Sequence, residues 1–263
     1  ATSSSLFEII EPEKEAIISR CREKKTFLNL VGTQKDTSKR AVELAREHPD
    51  MWASIGTHPN HVFPTYITEE ESGFMSREED FDEAYYEELF QSAPEKIVGV
   101  GETGLDLFHI PDPTETVLEK QKQVFLKHYA FAKKHDLVLV IHVREAHEHM
   151  IELLKALKEP IKATIHCYTG NWEQAQEYLK LGCYLGFTGV ITFPAKKTNP
   201  KAQEDLLEVV KKMPLERMLV ETDAPYLAPQ AYRGQGSEPW MCEEQISFIA
   251  ALRSLGRAEL ETA

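Results

Sequence analysis

The sequence has no C-x-x-C pair, no apolar run approaching the ~20 residues of a membrane helix, no glycine-rich phosphate turn after its first strand-like segment, and no internal repeat. Each absence excludes something. The four cysteines, Cys21, Cys167, Cys183 and Cys242, lie far apart, which argues against a zinc knuckle or redox pair and for free thiols in a reducing compartment. The opening ATSSSLFEII has no basic stretch leading into an apolar one, so it does not read as a secretory signal. The expected location is therefore the cytoplasm, or the nucleus in a eukaryote, with no membrane contact and no obligate protein partner. Basic residues are also scarce: Lys and Arg number 30 against 43 Asp and Glu, a net charge of −13. That balance argues against a general nucleic-acid binder with a basic face. It leaves room for anionic substrates at a cation-loaded site, because bound divalent metals dominate the local field.

What is present is enough chain, 263 residues, for one large barrel or two small domains. Seven short runs read as buried parallel strands: Thr26–Leu30, Trp52–Gly56, Ile97–Gly101, Leu137–His142, Ala163–His166, Tyr184–Phe187 and Met218–Glu221. Each is nearly continuous in apolar residues and does not alternate, as strands covered on both faces do. Segments of helical period separate them. In Thr116–His135, Val117, Gln121, Val124, Phe125, His128, Tyr129 and Ala132 lie on or near one stripe. Asn171–Leu181 and Ala202–Lys212 are further helices, with Asn171 as N-cap and Gly182 as stop. Glu13–Lys24 is a helical stretch, and Thr65–Ser92, rich in Glu, Asp and Tyr, reads as a surface loop plus helix.

Strand–helix alternation predicts an α/β fold, and seven strands come close to the eight of a TIM (β/α)8-type barrel. The whole chain, 1–263, reads as a single domain. No strand is expected before Thr26, where Phe7–Ile10 is the lone apolar run.

Polar residues gather where the strands end. Trp52–Gly56 runs into Thr57-His58-Pro59, Ile97–Gly101 into Glu102-Thr103-Gly104-Leu105-Asp106, and Leu137–Ile141 into His142-Val143-Arg144. Ala163–Ile165 leads to His166-Cys167-Tyr168-Thr169-Gly170, and the last strand to Glu221-Thr222-Asp223-Ala224-Pro225. The C-terminal strand ends of a barrel converge on one mouth, where such enzymes keep their active sites. Singly, each residue has a plain structural explanation: Glu102 as a salt-bridge partner, Asp223 as a turn cap, either histidine as packing. Together, two carboxylates and two imidazoles, Glu102, His142, His166 and Asp223, suit divalent metal, and burying them unpartnered would be costly. His142 and Arg144, two apart on a strand, face the same side, which sets a cation for phosphate beside a ligand. His109, His135, His147 and His149 are assigned to the surface or to helices. Lys196, Lys197 and Arg233 read first as solvated surface and second as contacts to a nucleic-acid backbone.

The segments SIGTHPNH, VGVGETGLD, IHVREAHE, TIHCYTGN and LVETDAPYLAP, in this order, resemble the TatD family of metal-dependent deoxyribonucleases, amidohydrolase-like TIM barrels. The resemblance runs from about Leu28 to the end. It implies two divalent ions, Mg2+ or Mn2+ with Zn2+ as an alternative, with Glu102 as their shared ligand and His142 and His166 completing one ion. It implies Asp223 as the other ligand and as the base that activates the attacking water, and His58 and Arg144 as contacts to substrate phosphates. Asp223 and Glu102 are thus the expected catalytic residues, DNA the expected substrate and 3′→5′ exonuclease action the expected chemistry. The same barrel and metal would also serve a lactone, amide or other ester. The chain departs from the family at its front: it opens at Ala1 where a first strand, often ending in His-x-His, should just have ended. Either residues before Ala1 supply that strand, or the edges of Thr26–Leu30 and Met218–Glu221 are left open.

Overall fold

The computed structural model describes residues 13–63, 66–68, 73–75, 78–108 and 115–256. Two compact units divide the chain: Ala1–Ala16 with Phe27–Leu153, and Ile17–Thr26 with Leu154–Ala263.

The first unit carries the parallel strands β1 (Leu28–Val31), β2 (Met51–Ile55), β5 (Ile97–Asp106) and β6 (Val138–Arg144), paired in that order. Between β2 and β5 lie a small antiparallel hairpin, β3 (Tyr66–Thr68) and β4 (Gly73–Met75), and a helix, Glu83–Ser92. The loop expected over Thr65–Ser92 therefore contains a hairpin as well as its helix. Three-residue strands are too short to show the alternation by which strands are read from sequence. The helix starts at Asp82, whose carboxylate accepts the Tyr85 N–H at 3.2 Å. The long helix Glu115–His135 turns Gln121, Val124, Phe125, His128, Phe131 and Ala132 inward, at the spacing of one helical face.

β5 is twice as long as its apolar run suggests. The sequence breaks at Gly99, Gly101 and Gly104, yet the strand continues through Glu102 to Asp106, with a shift of register between Val100 and Thr103. Gly104 pairs with His142 at a backbone φ of +152°, and a Cβ there would collide with the His142 carbonyl. Glycine at this point is what lets β5 reach its polar end.

The second unit carries β7 (Ala163–His166), β8 (Tyr184–Phe187) and β9 (Met218–Val220), again parallel and paired in order. Helices Trp172–Lys180, Pro200–Lys212 and Cys242–Arg253 accompany them. Asn171 caps the first by accepting the Gln174 N–H at 2.9 Å, and Gly182 ends it with φ +93°. Tyr168, Tyr178, Cys183, Leu185, Phe187, Leu206, Val209, Val210 and Ile249 form its buried core. The helix Lys14–Glu23 reaches this unit through Arg20, which grips the Glu238 carboxylate at both oxygens, at 2.7 and 2.8 Å. The expectation that no strand precedes Thr26 falls partly on residues 1–12, outside the described residues; from residue 13 onward that stretch holds the helix. The strand–helix alternation, with every long strand parallel, is α/β as expected. No helix among the described residues is long and apolar enough to cross a membrane.

Candidate metal centre

Glu102 sits on β5 with 6% of its surface exposed. Its Oε1 lies 2.9 Å from His142 Nδ1 and 3.4 Å from His58 Nε2. The ligating atoms of His58, Glu102 and His142 all lie within 4.8 Å of one another. The far nitrogen of His142, Nε2, lies 2.9 Å from Oδ2 of the fully buried Asp106. Burial alone would lower the His142 pKa, but the hydrogen bonds and charges of Asp106 and Glu102 outweigh it and raise it to about 9. In the absence of a competing cation, His142 is the cation between two carboxylates.

His58 behaves oppositely. Burial, and then the charge of His142, push its pKa down to about 4 against the pull of Glu102. Its Nδ1 accepts the Asn60 N–H at 3.1 Å, so the neutral ring carries its proton on Nε2. That nitrogen is then a donor aimed at Glu102, poised for a carboxylate or phosphate oxygen. The same backbone bend is fastened from behind. The Thr57 N–H donates to His128 Nε2 at 2.8 Å, and His128 Nδ1 is 2.8 Å from the Val124 carbonyl, which fixes the neutral tautomer. Tyr86 OH donates to the Gly56 carbonyl at 2.9 Å.

On β6, Arg144 follows His142 by two residues and its guanidinium lies 3.8 Å from the centroid of the Phe108 ring. Asp106 ties these groups together, since its other oxygen, Oδ1, accepts the Phe108 N–H at 2.9 Å.

In the second unit, β7 ends at His166. Its Nδ1 is 2.9 Å from Glu221 Oε1, and its Nε2 is 3.6 Å from Asp223 Oδ1. A carboxylate only accepts, so Nδ1 carries a proton, and Nε2 faces Asp223. Glu221 Oε1 also accepts the Cys167 N–H at 2.7 Å. Cys167 sits in the left-handed region, φ +46°, and burial pushes its thiol up to about 12. The seat for Glu221 is Gly186 on β8, where a Cβ would collide with the carboxylate.

The structure thus places Glu102 with His142 and His58, and His166 with Asp223. Asp106 and Glu221, which hold the two histidines, were given no role by the sequence reading. Both stand in the polar strand-end segments, but their task is visible in space alone. His147, assigned to the surface or a helix, does open a helix, His147–Ala156, yet it is buried, 8% exposed, and burial lowers its pKa to about 4. Helix periodicity counts apolar residues and therefore passes over an inward imidazole. Lys196 and Lys197 are exposed, and the exposed Arg233 lies 4.5 Å over the Phe193 ring. His109 lies outside the described residues.

These donors suit divalent cations. Two atoms each about 2.1 Å from one ion stand roughly 3.0–3.5 Å apart. His166 Nε2 and Asp223 Oδ1, 3.6 Å apart, are too far for a hydrogen bond and close to that separation. His142 Nδ1 faces Glu102 while Nε2 is held by Asp106, the carboxylate–histidine arrangement that orients a metal ligand.

A family model described as TatD-related DNase matches residues 5–263. The metal-dependent hydrolase YabD of Bacillus subtilis, whose activity is uncharacterized, is 36% identical over 255 residues, covering 96% of this chain and 90% of YabD. The 3′-5′ ssDNA/RNA exonuclease TatD of Erwinia tasmaniensis is 32% identical over 256 residues, covering 94% of this chain and 89% of the relative. Among solved structures, the TatD homologue YjjV of Escherichia coli K12 superposes with a TM-score of 0.78 at 26% identity, over 95% of this chain and 87% of YjjV. That likeness bears out the α/β, TIM-barrel type of fold.

Proposed function

The chain belongs to the TatD-related DNase family of metal-dependent hydrolases, and from that premise we propose that it is a deoxyribonuclease acting 3′→5′ on DNA, in DNA repair or degradation. The observation that carries the proposal is the matched pair of histidines. His142 and His166 each have one nitrogen held by a buried or half-buried carboxylate, Asp106 or Glu221, and the other turned to Glu102 or Asp223. The name of the Erwinia relative, a 3′-5′ ssDNA/RNA exonuclease, supports nucleic acid as substrate. The family match over residues 5–263, nearly the whole chain, supports reading the chain as one hydrolase domain.

In this reading Glu102 and His142 in the first unit, and His166 and Asp223 in the second, hold the divalent ions, Mg2+ or Mn2+, expected to be two. When bound, such ions polarise the phosphate and lower the pKa of water so that it attacks at neutral pH. Asp223, a half-buried carboxylate with Oδ1 3.6 Å from His166 Nε2, takes the proton of the attacking water. His58 offers its Nε2–H, and Arg144 its fork of donors, to phosphate oxygens. Neutral His58 is suited to this task because it donates at Nε2 without adding charge to a site that already carries cations.

The test compares a 5′-labelled single-stranded oligonucleotide with a small lactone and a carboxylic ester, each with and without EDTA. The proposal expects a ladder of shortened oligonucleotides that EDTA abolishes. EDTA-sensitive turnover confined to the lactone or ester would replace the nuclease by a hydrolase of another substrate class.

A further inference from the structure

Phe108 is an anomaly in a polar neighbourhood. It is a large aromatic just beyond the end of β5, and 49% of it is exposed. It is not on a loose tether. Its N–H is bonded to Asp106 Oδ1 at 2.9 Å, while Oδ2 of the same carboxylate holds His142 at 2.9 Å. The Leu107 N–H donates to the Arg144 carbonyl at 3.0 Å, so the β5–β6 ladder continues past the strand end to the residue before Phe108. One side chain, Asp106, therefore fixes both a metal-facing histidine and an exposed ring.

Above that ladder, Arg144 stacks its guanidinium on the ring at 3.8 Å. Arg144 lies on the same side of β6 as His142 and two residues on, about 7 Å nearer the C-terminal end of the strand. Going outward from the metal ligand, the surface offers a planar cation and a flat apolar ring held against it. A guanidinium binds phosphate oxygens through its edge while its face rests on an aromatic. About half of Phe108 faces solvent, and a solvent-facing aromatic surface suits something flat and apolar. A lactone or an aliphatic amide carries no such group. A nucleotide does, joined to its phosphate.

We propose that Phe108 is a stacking platform for a nucleobase of a single-stranded nucleic acid, beside the phosphate gripped by Arg144. The proposal rests on the nuclease reading of this site and deepens it, by assigning recognition of the base to a residue outside the metal-binding set. Stacking on a π-face reads no base edge, so the platform accepts any base.

The experiment measures binding in EDTA, where no strand is cut, by fluorescence anisotropy with two labelled probes. One is pentathymidylate, and the other is a strand of the same length built from abasic tetrahydrofuran phosphodiesters. Wild type, Phe108→Ala and Phe108→Trp are compared, with melting curves to show that all three are folded. The platform predicts that Phe108→Ala weakens pentathymidylate about tenfold or more, the order set by one base–aromatic stack. It predicts that Phe108→Trp binds at least as tightly as wild type, and that all three bind the abasic strand alike. Equal loss on both strands would mean that the ring serves only to hold Arg144, and would overturn the proposal. So would an unchanged affinity for both. Adding Mg2+ or Mn2+ separates this from the reading beneath it: a protein that prefers the base-bearing strand but never cuts it sinks the nuclease and leaves the platform standing.

Discussion

Glu221 Oε1 accepts two hydrogen bonds at once, from His166 Nδ1 at 2.9 Å and from the Cys167 N–H at 2.7 Å. The side chain and the backbone around one strand end are thus fixed by one oxygen. His142 is held in the same sense by Asp106, at Nε2 instead of Nδ1. The two histidines reach these carboxylate partners by opposite nitrogens, and each turns its other nitrogen towards a second acidic side chain, Glu102 or Asp223.

If Glu221 orients His166 for a metal, its loss weakens metal binding without unfolding the unit. Glu221→Ala is expected to lower metal affinity about 10–100-fold. Glu221→Gln, which keeps Oε1 as acceptor, is expected to recover much of that. Gly186→Ala should imitate Glu221→Ala, because its new Cβ takes the space of the carboxylate. Titration of metal-stripped protein with Mn2+ reads all three. Equal affinity in wild type and Glu221→Ala would remove the positioning role.

His128 makes a prediction about acid stability. Burial lowers its folded-state pKa from the ordinary 6.5 to about 4. Between those values the unfolded chain takes up a proton that the folded one refuses. Stability therefore falls as pH falls from 6.5 to 4, by about 1.4 kcal/mol per pH unit from this residue, and levels off below. Gln in its place can still accept the Thr57 N–H but does not titrate. Urea unfolding between pH 7 and pH 4.5 should show His128→Gln losing stability less steeply than wild type by about that amount. Parallel curves would show that His128 is not the group responsible.

Arg20 anchors the helix Lys14–Glu23 by its two bonds to Glu238, which also accepts from Trp240 Nε1 at 2.6 Å. Burial would raise the Glu238 pKa, but these bonds prevail and hold it below its ordinary 4.5. The pair therefore stabilises above that value and loses its effect as pH falls through the lowered one. The pair is partly exposed, so Arg20→Ala is expected to cost only about 1 kcal/mol at pH 7. The difference from wild type should shrink towards pH 3. Denaturant unfolding at the two pH values checks this, and a cost unchanged by pH would show that packing of the arginine stem is the cause.

Much of this was legible in the sequence because the signals were local. Ala163–His166 and Tyr184–Phe187 are strands over those same residues, and Asn171 caps the helix it was expected to cap. β5 was read short because glycine weakens an apolar run, although Gly104 is what lets the backbone pass His142. Asp106 and Glu221 were written in plain sight and had no legible role, since holding a histidine by its second nitrogen leaves no mark of spacing. The burial of His128 followed from its place on the apolar stripe of its helix. The bond from Thr57, 71 residues away, did not.

The central claim is that Glu102 and the histidine it faces hold a metal that cuts nucleic acid. Its most direct test strips the protein of metal and restores Mg2+ or Mn2+ in the presence of a 5′-labelled single-stranded oligonucleotide, for wild type and for Glu102→Ala. The account predicts a ladder shortening from the 3′ end for metal-restored wild type. It predicts no cleavage by the stripped protein, and none by a Glu102→Ala variant that still melts cooperatively. Cleavage that persists in EDTA, or near wild-type cleavage by Glu102→Ala, would contradict it.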